Sequence, residues 1–134
     1  MLAVGEQMLP DIPASLLTRI ANGFAGGVGR TRDEMCGALA GGVILIGLLC
    51  GRETTGQDDE LCLDLVRQWR QLFKQRFGTT VCRPIFNAMT APGGPQTCAG
   101  EAGEAAGVLW ELLERANCLG AEQTESTSVP GGIR

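Results

Sequence analysis

The sequence predicts an all-α protein, a compact bundle of four to five helices around a glycine-rich central helix. Apolar residues recur every three or four positions in several segments, no segment alternates as a strand does, and glycine- and proline-rich stretches separate the segments. The chain has 134 residues, 44% of them hydrophobic, which is enough for one domain with a buried core. We expect this domain at residues 1–119. Residues 120–134 are poor in apolar side chains and are expected to form a flexible C-terminal tail.

The first half of the chain predicts two helices separated by a glycine loop. A short helix over residues 11–21 follows from apolar residues at helical spacing, and residues 23–29 are too rich in glycine for regular structure. Thr31 and Glu34 match a capping box directly before a long apolar run. We therefore predict the central helix from Thr31 to about Cys50, with Gly51 as a left-handed stop.

The second half predicts a long helix, a short helix and a last helix. The long helix starts in the acidic segment at Asp58, stops at Gly78, and buries the stripe Cys62, Leu65, Val66, Trp69, Leu72 and Phe73. A short helix is expected up to Met89, followed by an irregular loop at 91–95. The last helix has an apolar face of Cys98, Ala102, Ala105, Leu109, Leu112 and Ala116, with Glu101, Glu104, Glu111 and Glu114 outside it.

Composition excludes several function classes. The chain has no histidine and no tyrosine, which excludes Ser-His-Asp and Cys-His catalysis, a histidine-ligated haem and histidine-containing zinc sites. The net charge of -4 argues against a nucleic-acid partner. Any chemistry must therefore come from cysteine, carboxylate, arginine or backbone groups.

The sequence predicts a cytoplasmic protein without stable membrane insertion. Residues 1–10 lack the basic and apolar regions of a secretory signal. The segment 35–51 carries no charge, but it lies at the lower length limit for a bilayer span and is rich in glycine. We interpret it as a buried helix. Six cysteines in a reducing compartment are more often reduced, metal-bound or redox-cycling than locked in static disulfides.

Three of the six cysteines are candidates for chemistry, although none belongs to a Cys-x-x-Cys motif. Cys82 is the best nucleophile candidate, because it lies near a helix N-terminus with Arg83 beside it. Cys98 also lies at a helix start, and the intervening loop can bring the two together. Cys36 is expected in the second turn of the central helix, among small residues. From these residues alone, chemistry and simple core packing both remain open.

The other three cysteines have less support. Cys50 and Cys62 lie on apolar faces and are assigned to packing, whereas Cys118, near a helix end, is left undecided.

Several segments together resemble one bacterial family. Cys36 to Gly41 reads Cys-Gly-Ala-x-x-Gly, preceded by the glycine-rich segment 24–30 and followed by the segment 77–83, which ends in Cys82 and Arg83, and by Cys98. This combination resembles the C-GCAxxG-C-C family of small redox-active proteins over roughly residues 16–115. The family carries four motif cysteines, the first in an N-terminal helix. Because no cysteine precedes Cys36, we expect that this chain lacks that cysteine helix.

The resemblance implies a redox site at Cys36, Cys82 and Cys98. The family is also similar to the non-haem portion of split-Soret cytochrome c, which implies an iron-sulfur cluster with these cysteines as three ligands. In that case the glycine-rich backbone would donate hydrogen bonds to the cluster, at Gly26, Gly27, Gly29, Gly37 and Gly41. No Cys-x-x-Cys-His motif is present, so no haem is expected.

Two classes of function therefore compete. In the leading hypothesis the protein exchanges thiols or transfers electrons with a redox partner protein: Cys82 attacks as a thiolate, Cys98 resolves the mixed disulfide, and Cys36 assists. The cluster-binding protein is the metal version of the same site. The alternative from another class is a non-catalytic helical interaction protein, a homodimer through its small-residue helix faces. In that alternative a bulky residue at Gly41 disrupts packing.

Overall fold

A computed structural model describes residues 1–118, which form six α-helices and no strand. The helices are α1 (Leu2–Met8), α2 (Ala14–Asn22), α3 (Gly37–Cys50), α4 (Glu60–Phe77), α5 (Cys82–Thr90) and α6 (Ala99–Arg115). The all-α prediction is confirmed, but six helices replace the predicted four to five, because Leu2–Met8 is helical as well. The predicted tail at 120–134 lies outside the residues that the structure describes.

Helices α3, α4 and α6 form the centre of the protein. The indole Nε1 of Trp69 in α4 donates a 3.0 Å hydrogen bond to the carbonyl oxygen of Leu39 in α3. Arg76, at the end of α4, pairs with Glu104, near the start of α6. Thus α4 runs antiparallel to its two neighbours. The largest fully buried side chains are Trp69, Phe73, Leu17, Leu45, Ile46 and Leu113.

Glycine in α3 permits close packing of α4. A Cβ atom built on Gly42 would lie 2.2 Å from the Nε1 atom of Trp69. Gly41 faces Met1 instead, with the nearest atom 3.2 Å from such a Cβ. The Trp69 indole therefore requires glycine at position 42, because an indole ring has little freedom to move in a close-packed core. From the sequence, Gly41 was expected to be the position that tolerates no bulky residue.

The two predicted ends of the central helix differ from the observed ones in different ways. Thr31 forms no capping box: its hydroxyl donates to the carbonyls of Gly27 and Val28, and the helix begins only at Gly37. The helix does end at Cys50, but Gly51 is extended, with φ -73° and ψ 158°, and not left-handed. The segment 31–36 leaves the helix because its backbone pairs with the start of α5.

The predicted features of α4 are confirmed. Cys62, Leu65, Trp69 and Phe73 are buried along one face, and Gly78 ends the helix with a φ of 78°.

Across residues 1–118, no helix combines the length and the apolar composition that a bilayer crossing requires.

Candidate functional site

Backbone pairing brings together the segments that carry Cys36 and Cys82. Met35 and Val81 form an isolated antiparallel bridge. On either side of it, the Cys36 amide donates to the Thr80 carbonyl at 2.8 Å, and the Cys82 amide donates to the Glu34 carbonyl at 2.9 Å. Both cysteines are buried, at 8% and 6% exposure. The bridge is a tertiary contact between segments far apart in the chain, and it holds the two thiols at the starts of α3 and α5.

The glycine loop packs directly on Cys82. Gly27 is buried, has a φ of 71°, and its Cβ position lies only 2.5 Å from the Cβ of Cys82. No side chain fits between the loop and the cysteine, and the left-handed backbone also favours glycine here. Gly27 therefore belongs to the site as a close-approach position.

The same loop carries backbone strain at residues that are not glycine. Val28, Arg30 and Arg32 have φ values of 61°, 61° and 64°. A left-handed conformation is unfavourable for such residues by about 1–2 kcal/mol each, and most of all for a β-branched one. Strain of this kind concentrates at functional sites, where the surrounding contacts over-determine the backbone. Here the Arg83 amide contributes such a contact by donating to the Arg32 carbonyl at 2.8 Å.

Cys36 meets a buried carboxyl group. Its Sγ lies 3.8 Å from Oε1 of Glu101, which is only 5% exposed, and Oε2 of Glu101 has no hydrogen-bond partner. Burial raises the pKa of Cys36 to about 11, the charges of Glu101 and Cys82 add to the rise, and the amides of Ala38 and Leu39 oppose it. Burial also raises the pKa of Glu101 above its usual 4.5. The Cys36 thiol therefore keeps its proton and donates it in a hydrogen bond to the Glu101 carboxyl group.

Cys98 is the most accessible of the three predicted thiols. It is half-buried and is the N-cap residue of α6. Burial raises its pKa, the charges of Glu101 and Cys82 add to the rise, and the positive charge of Arg32 opposes it. Cys82 thus acts electrostatically on both Cys36 and Cys98. We call Cys36, Cys82, Cys98 and Glu101 the motif cluster.

Two sequence-based assignments within this cluster need correction. Cys36 is not in the second turn of α3 but is its N-cap residue. The guanidinium of Arg83, expected beside Cys82, is instead engaged with the glycine loop. It donates to a carboxylate oxygen of Asp33 at 2.6 Å and to the Thr31 carbonyl at 3.0 Å. It therefore fastens the strained loop to α5, whereas the free positive charge beside Cys98 belongs to Arg32, which also stacks on Phe86.

Glu101 is the residue that the sequence analysis missed. It was placed outside the apolar face of the last helix, yet it is buried while Ala102 is exposed. The signal was its position three residues after Cys98 and four before Ala105, which puts it on the same side of a helix as both. Helical periodicity assigns charged residues such as Glu101 to the exposed face, because carboxylates are seldom buried.

The predicted glycines divide between two locations. Gly26, Gly27 and Gly29 all have positive φ values and form the strained loop. A Cβ atom built on Gly37 would lie 3.0 Å from the Phe24 carbonyl oxygen, so Gly37 also permits a close approach of this loop. Gly41 contacts Met1 instead.

The described residues do not fit an iron-sulfur cluster. Within residues 1–118, no group of three or more Cys, Asp or Glu side chains converges closely enough to hold a metal ion. The Cys36 sulfur is directed at the Glu101 carboxyl group, and an anionic carboxylate beside thiolates adds negative charge where ligand sulfurs already carry it. An iron-sulfur cluster therefore has no part in the chemistry proposed below.

Comparison with known proteins identifies the relatives of this chain. The family model described as "Putative redox-active protein (C_GCAxxG_C_C)" matches residues 1–112. No curated protein and no solved structure is significantly similar to the chain. Since the match covers most of the sequence, the chain belongs to the C_GCAxxG_C_C family, as the resemblance of its cysteine and glycine segments predicted.

Proposed function

We propose that this member of the C_GCAxxG_C_C family is a thiol-disulfide exchange protein whose reactive pair is Cys98 and Cys82. The observation that carries the proposal is the backbone bridge that holds Cys36 and Cys82 beneath a strained glycine loop. The buried Glu101 and the half-buried Cys98 lie beside them at the start of α6, where Glu101 acts on both Cys36 and Cys98. The family description supports a redox role in general. The exchange chemistry is the form of that role which free, adjacent thiols can perform without a metal.

Accessibility favours Cys98 as the first nucleophile. An attacking thiolate must reach the sulfur of its substrate, and Cys98 is half-buried whereas Cys82 is 6% exposed. Burial raises the pKa of Cys98, but its position at the N-terminus of α6 and the positive charge of Arg32 offset part of that rise. This order is the reverse of the one that the sequence suggests, in which Cys82 attacks first.

The two steps balance as a disulfide exchange. The Cys98 thiolate attacks one sulfur of a substrate disulfide, forms a mixed disulfide, and releases the other sulfur as a thiolate. The Cys82 thiolate then attacks the Cys98 sulfur and releases the second substrate thiolate. The protein is oxidised to a Cys82–Cys98 disulfide by two electrons, and the substrate disulfide is reduced to two thiols.

Cys36 is a third exchange partner in this proposal. Its thiol donates a hydrogen bond to Glu101 and has a pKa of about 11, so Cys36 is the slowest of the three thiols to react. When deprotonated, Cys36 can replace Cys98 on the Cys82 sulfur, because Cys82 raises the pKa of both Cys36 and Cys98 and so lies near each of them.

The test uses a parent variant with Cys50→Ser, Cys62→Ala and Cys118→Ser, which retains only the motif thiols. The reduced parent is mixed with an aromatic disulfide that releases a coloured thiolate, and the release is followed in stopped flow. We expect about two thiolates per chain. Adding Cys82→Ser should leave a single release and a stable aromatic adduct on Cys98, located by mass spectrometry. Adding Cys98→Ser should slow the first release by at least about tenfold.

Two results would contradict the proposal. An adduct on Cys82 at the parental rate in the Cys98→Ser variant would restore the order in which Cys82 attacks first. Equal and slow release in the parent and both variants would remove the reactive pair altogether and favour the non-catalytic interaction protein. Circular dichroism of each variant shows whether the helices have formed before the rates are compared.

A further inference from the structure

Three more cysteines gather at the opposite end of the helical bundle. Cys50 is the last residue of α3, Cys62 lies in the first turn of α4, and Cys118 follows the end of α6. We call these three the distal cluster. Cys62 is buried, while Cys50 and Cys118 are half-buried and so remain reachable from solvent. None of them belongs to the segments that carry the family motif.

The directions of the helices explain why these thiols meet. Cys36 at the start of α3 touches Glu101 at the start of α6, so these two helices run side by side in the same direction. The end of α3 and the end of α6 therefore lie at the same end of the bundle. The antiparallel α4 begins there, and a cavity at that end is lined by Leu61 from α4 and Ala116 from the end of α6.

Backbone geometry holds Cys118 at this end. Asn117 adopts a left-handed φ of 57°, which turns the chain back after α6. The Cys118 amide then donates to the carbonyl of Leu113, a fully buried core residue, at 3.2 Å. Cys50 and Cys118 both pack against the core cluster, and the Cys118 side chain adds to the rise in the pKa of Cys50. The two thiols are therefore near one another at this end of the bundle.

We propose that Cys50 and Cys118 form a second disulfide, made by exchange with a low-molecular-weight disulfide, that links the end of α3 to the chain beyond α6. The observation that carries this proposal is the placement of two accessible cysteines at the same end of the bundle, Cys50 at the end of α3 and Cys118 just beyond α6, both packed on one core. The proposed Cys50–Cys118 disulfide is separate from the exchange proposed for the motif cluster and does not depend on it.

The chemistry requires a definite order. Burial raises the pKa of Cys50 to about 12, and the neighbouring thiols of Cys118 and Cys62 add to the rise, so Cys50 keeps its proton. Cys118 therefore attacks the oxidant first, forms a mixed disulfide, and releases one thiolate. Once the Cys118 sulfur is bonded to the oxidant it no longer adds to that rise, so the pKa of Cys50 falls. The Cys50 thiolate attacks the Cys118 sulfur, the second oxidant thiolate leaves, and two electrons pass to the oxidant.

The test uses the full chain with Cys36→Ser, Cys82→Ser and Cys98→Ser, which retains only the distal thiols. The protein is oxidised with the disulfide of glutathione, blocked by alkylation, and digested with trypsin without reduction. We expect two of the three thiols to be lost. Because cleavage follows Arg32, Arg52, Arg67 and Arg115, each remaining cysteine lies in its own peptide. The expected bridge joins the Cys50 peptide to the Cys118 peptide.

The outcomes separate the proposal from its rivals. A bridge between Cys62 and either neighbour, or an unpaired glutathione adduct, would overturn the assignment of the pair. Retention of all three thiols would overturn the disulfide itself. If the triple variant fails to fold, wild type is oxidised in the same way and fragmentation spectra locate the bridge, with Cys118→Ser as the control that must lose it. The bridge closes a long loop, so its formation should also raise Tm by roughly 10 °C.

Discussion

The two ends of the α3–α4–α6 bundle each carry three cysteines, but they are built in different ways. At the motif cluster, the thiols lie at helix starts, a buried acid adjoins them, and a strained loop covers Cys82. At the distal cluster, Cys50 and Cys118 lie at or beyond helix ends, and the groups that raise the pKa of Cys50 after burial are other thiols. Helix starts present positive potential and helix ends negative potential.

Three cysteines at each end therefore serve unequal chemistry. At Cys98 the charge of Arg32 offsets part of the rise in pKa that burial and the charges of Glu101 and Cys82 cause, which favours exchange. The distal thiols lack such help, so we expect them to oxidise slowly and to form a bridge that stabilises the fold. The motif cluster is therefore the reactive end of the protein, and the distal cluster is the stabilising end.

The largest effect is expected from a change that affects the motif cluster alone. Gly27→Ala places a new Cβ atom 2.5 Å from the Cβ atom of Cys82, on a backbone with a φ of 71°. Overpacking together with the left-handed strain should lower the free energy of unfolding by about 3 kcal/mol. Urea denaturation monitored by circular dichroism measures this loss.

Gly29→Ala is the matched control for that change. Gly29 has a φ of 60° in the same loop but no atom within 4 Å of its Cβ position. Its replacement should therefore cost only about 1 kcal/mol. Equal losses for the two variants would show that the contact between the loop and Cys82 contributes nothing, and would remove the distinction between the two ends.

A smaller effect is expected from a change between the two ends. Trp69→Phe removes the hydrogen bond to the Leu39 carbonyl and leaves a gap beside Gly42. We expect a loss of about 2 kcal/mol in the free energy of unfolding, because a buried acceptor becomes unpaired and packing is lost. Since Trp69 supports both clusters through one core, urea unfolding should remain a single transition. Trp110→Phe, at a half-buried position, is the control and should cost less. Two separate transitions would show that the two ends unfold independently.

The smallest effect is expected from Glu101→Gln, which changes charge without changing shape. Burial raises the pKa of Glu101 above 4.5, so the folded state holds this proton more tightly than the unfolded state. The stability that protonation contributes is complete below the unfolded value and is lost as the pH rises through the folded one. Glutamine does not titrate. The variant should therefore gain stability relative to wild type as the pH rises above about 4.5.

The same substitution should also accelerate the motif thiols. The charge of Glu101 raises the pKa of both Cys36 and Cys98, and its removal should speed alkylation of Cys98 at about pH 8 by roughly twofold to threefold. Cys118 should alkylate at an unchanged rate, and Glu111→Gln, exposed on the same helix, should change neither rate. A parallel increase at Cys118 would indicate global loosening rather than a local charge effect.

Local pattern was sufficient for much of the fold. The apolar stripe of α4 and its stop at Gly78 follow from spacing and from the left-handed preference of glycine, so both were predictable. The placement of Cys82 and Cys98 at helix starts was predictable for the same reason. The failed capping box was not, because the backbone of residues 31–36 pairs with the start of α5 instead.

The helical class, the exclusion of histidine chemistry and the family of the cysteine and glycine segments follow from the residues alone. The contact of Glu101 with Cys36, the packing of Gly27 on Cys82, and the placement of Cys50 and Cys118 at one end of the bundle depend on tertiary packing. The physical reason is the range of the interactions involved. Helical periodicity and caps act within a few residues, whereas each of these contacts joins segments that only the packing of distant helices brings together.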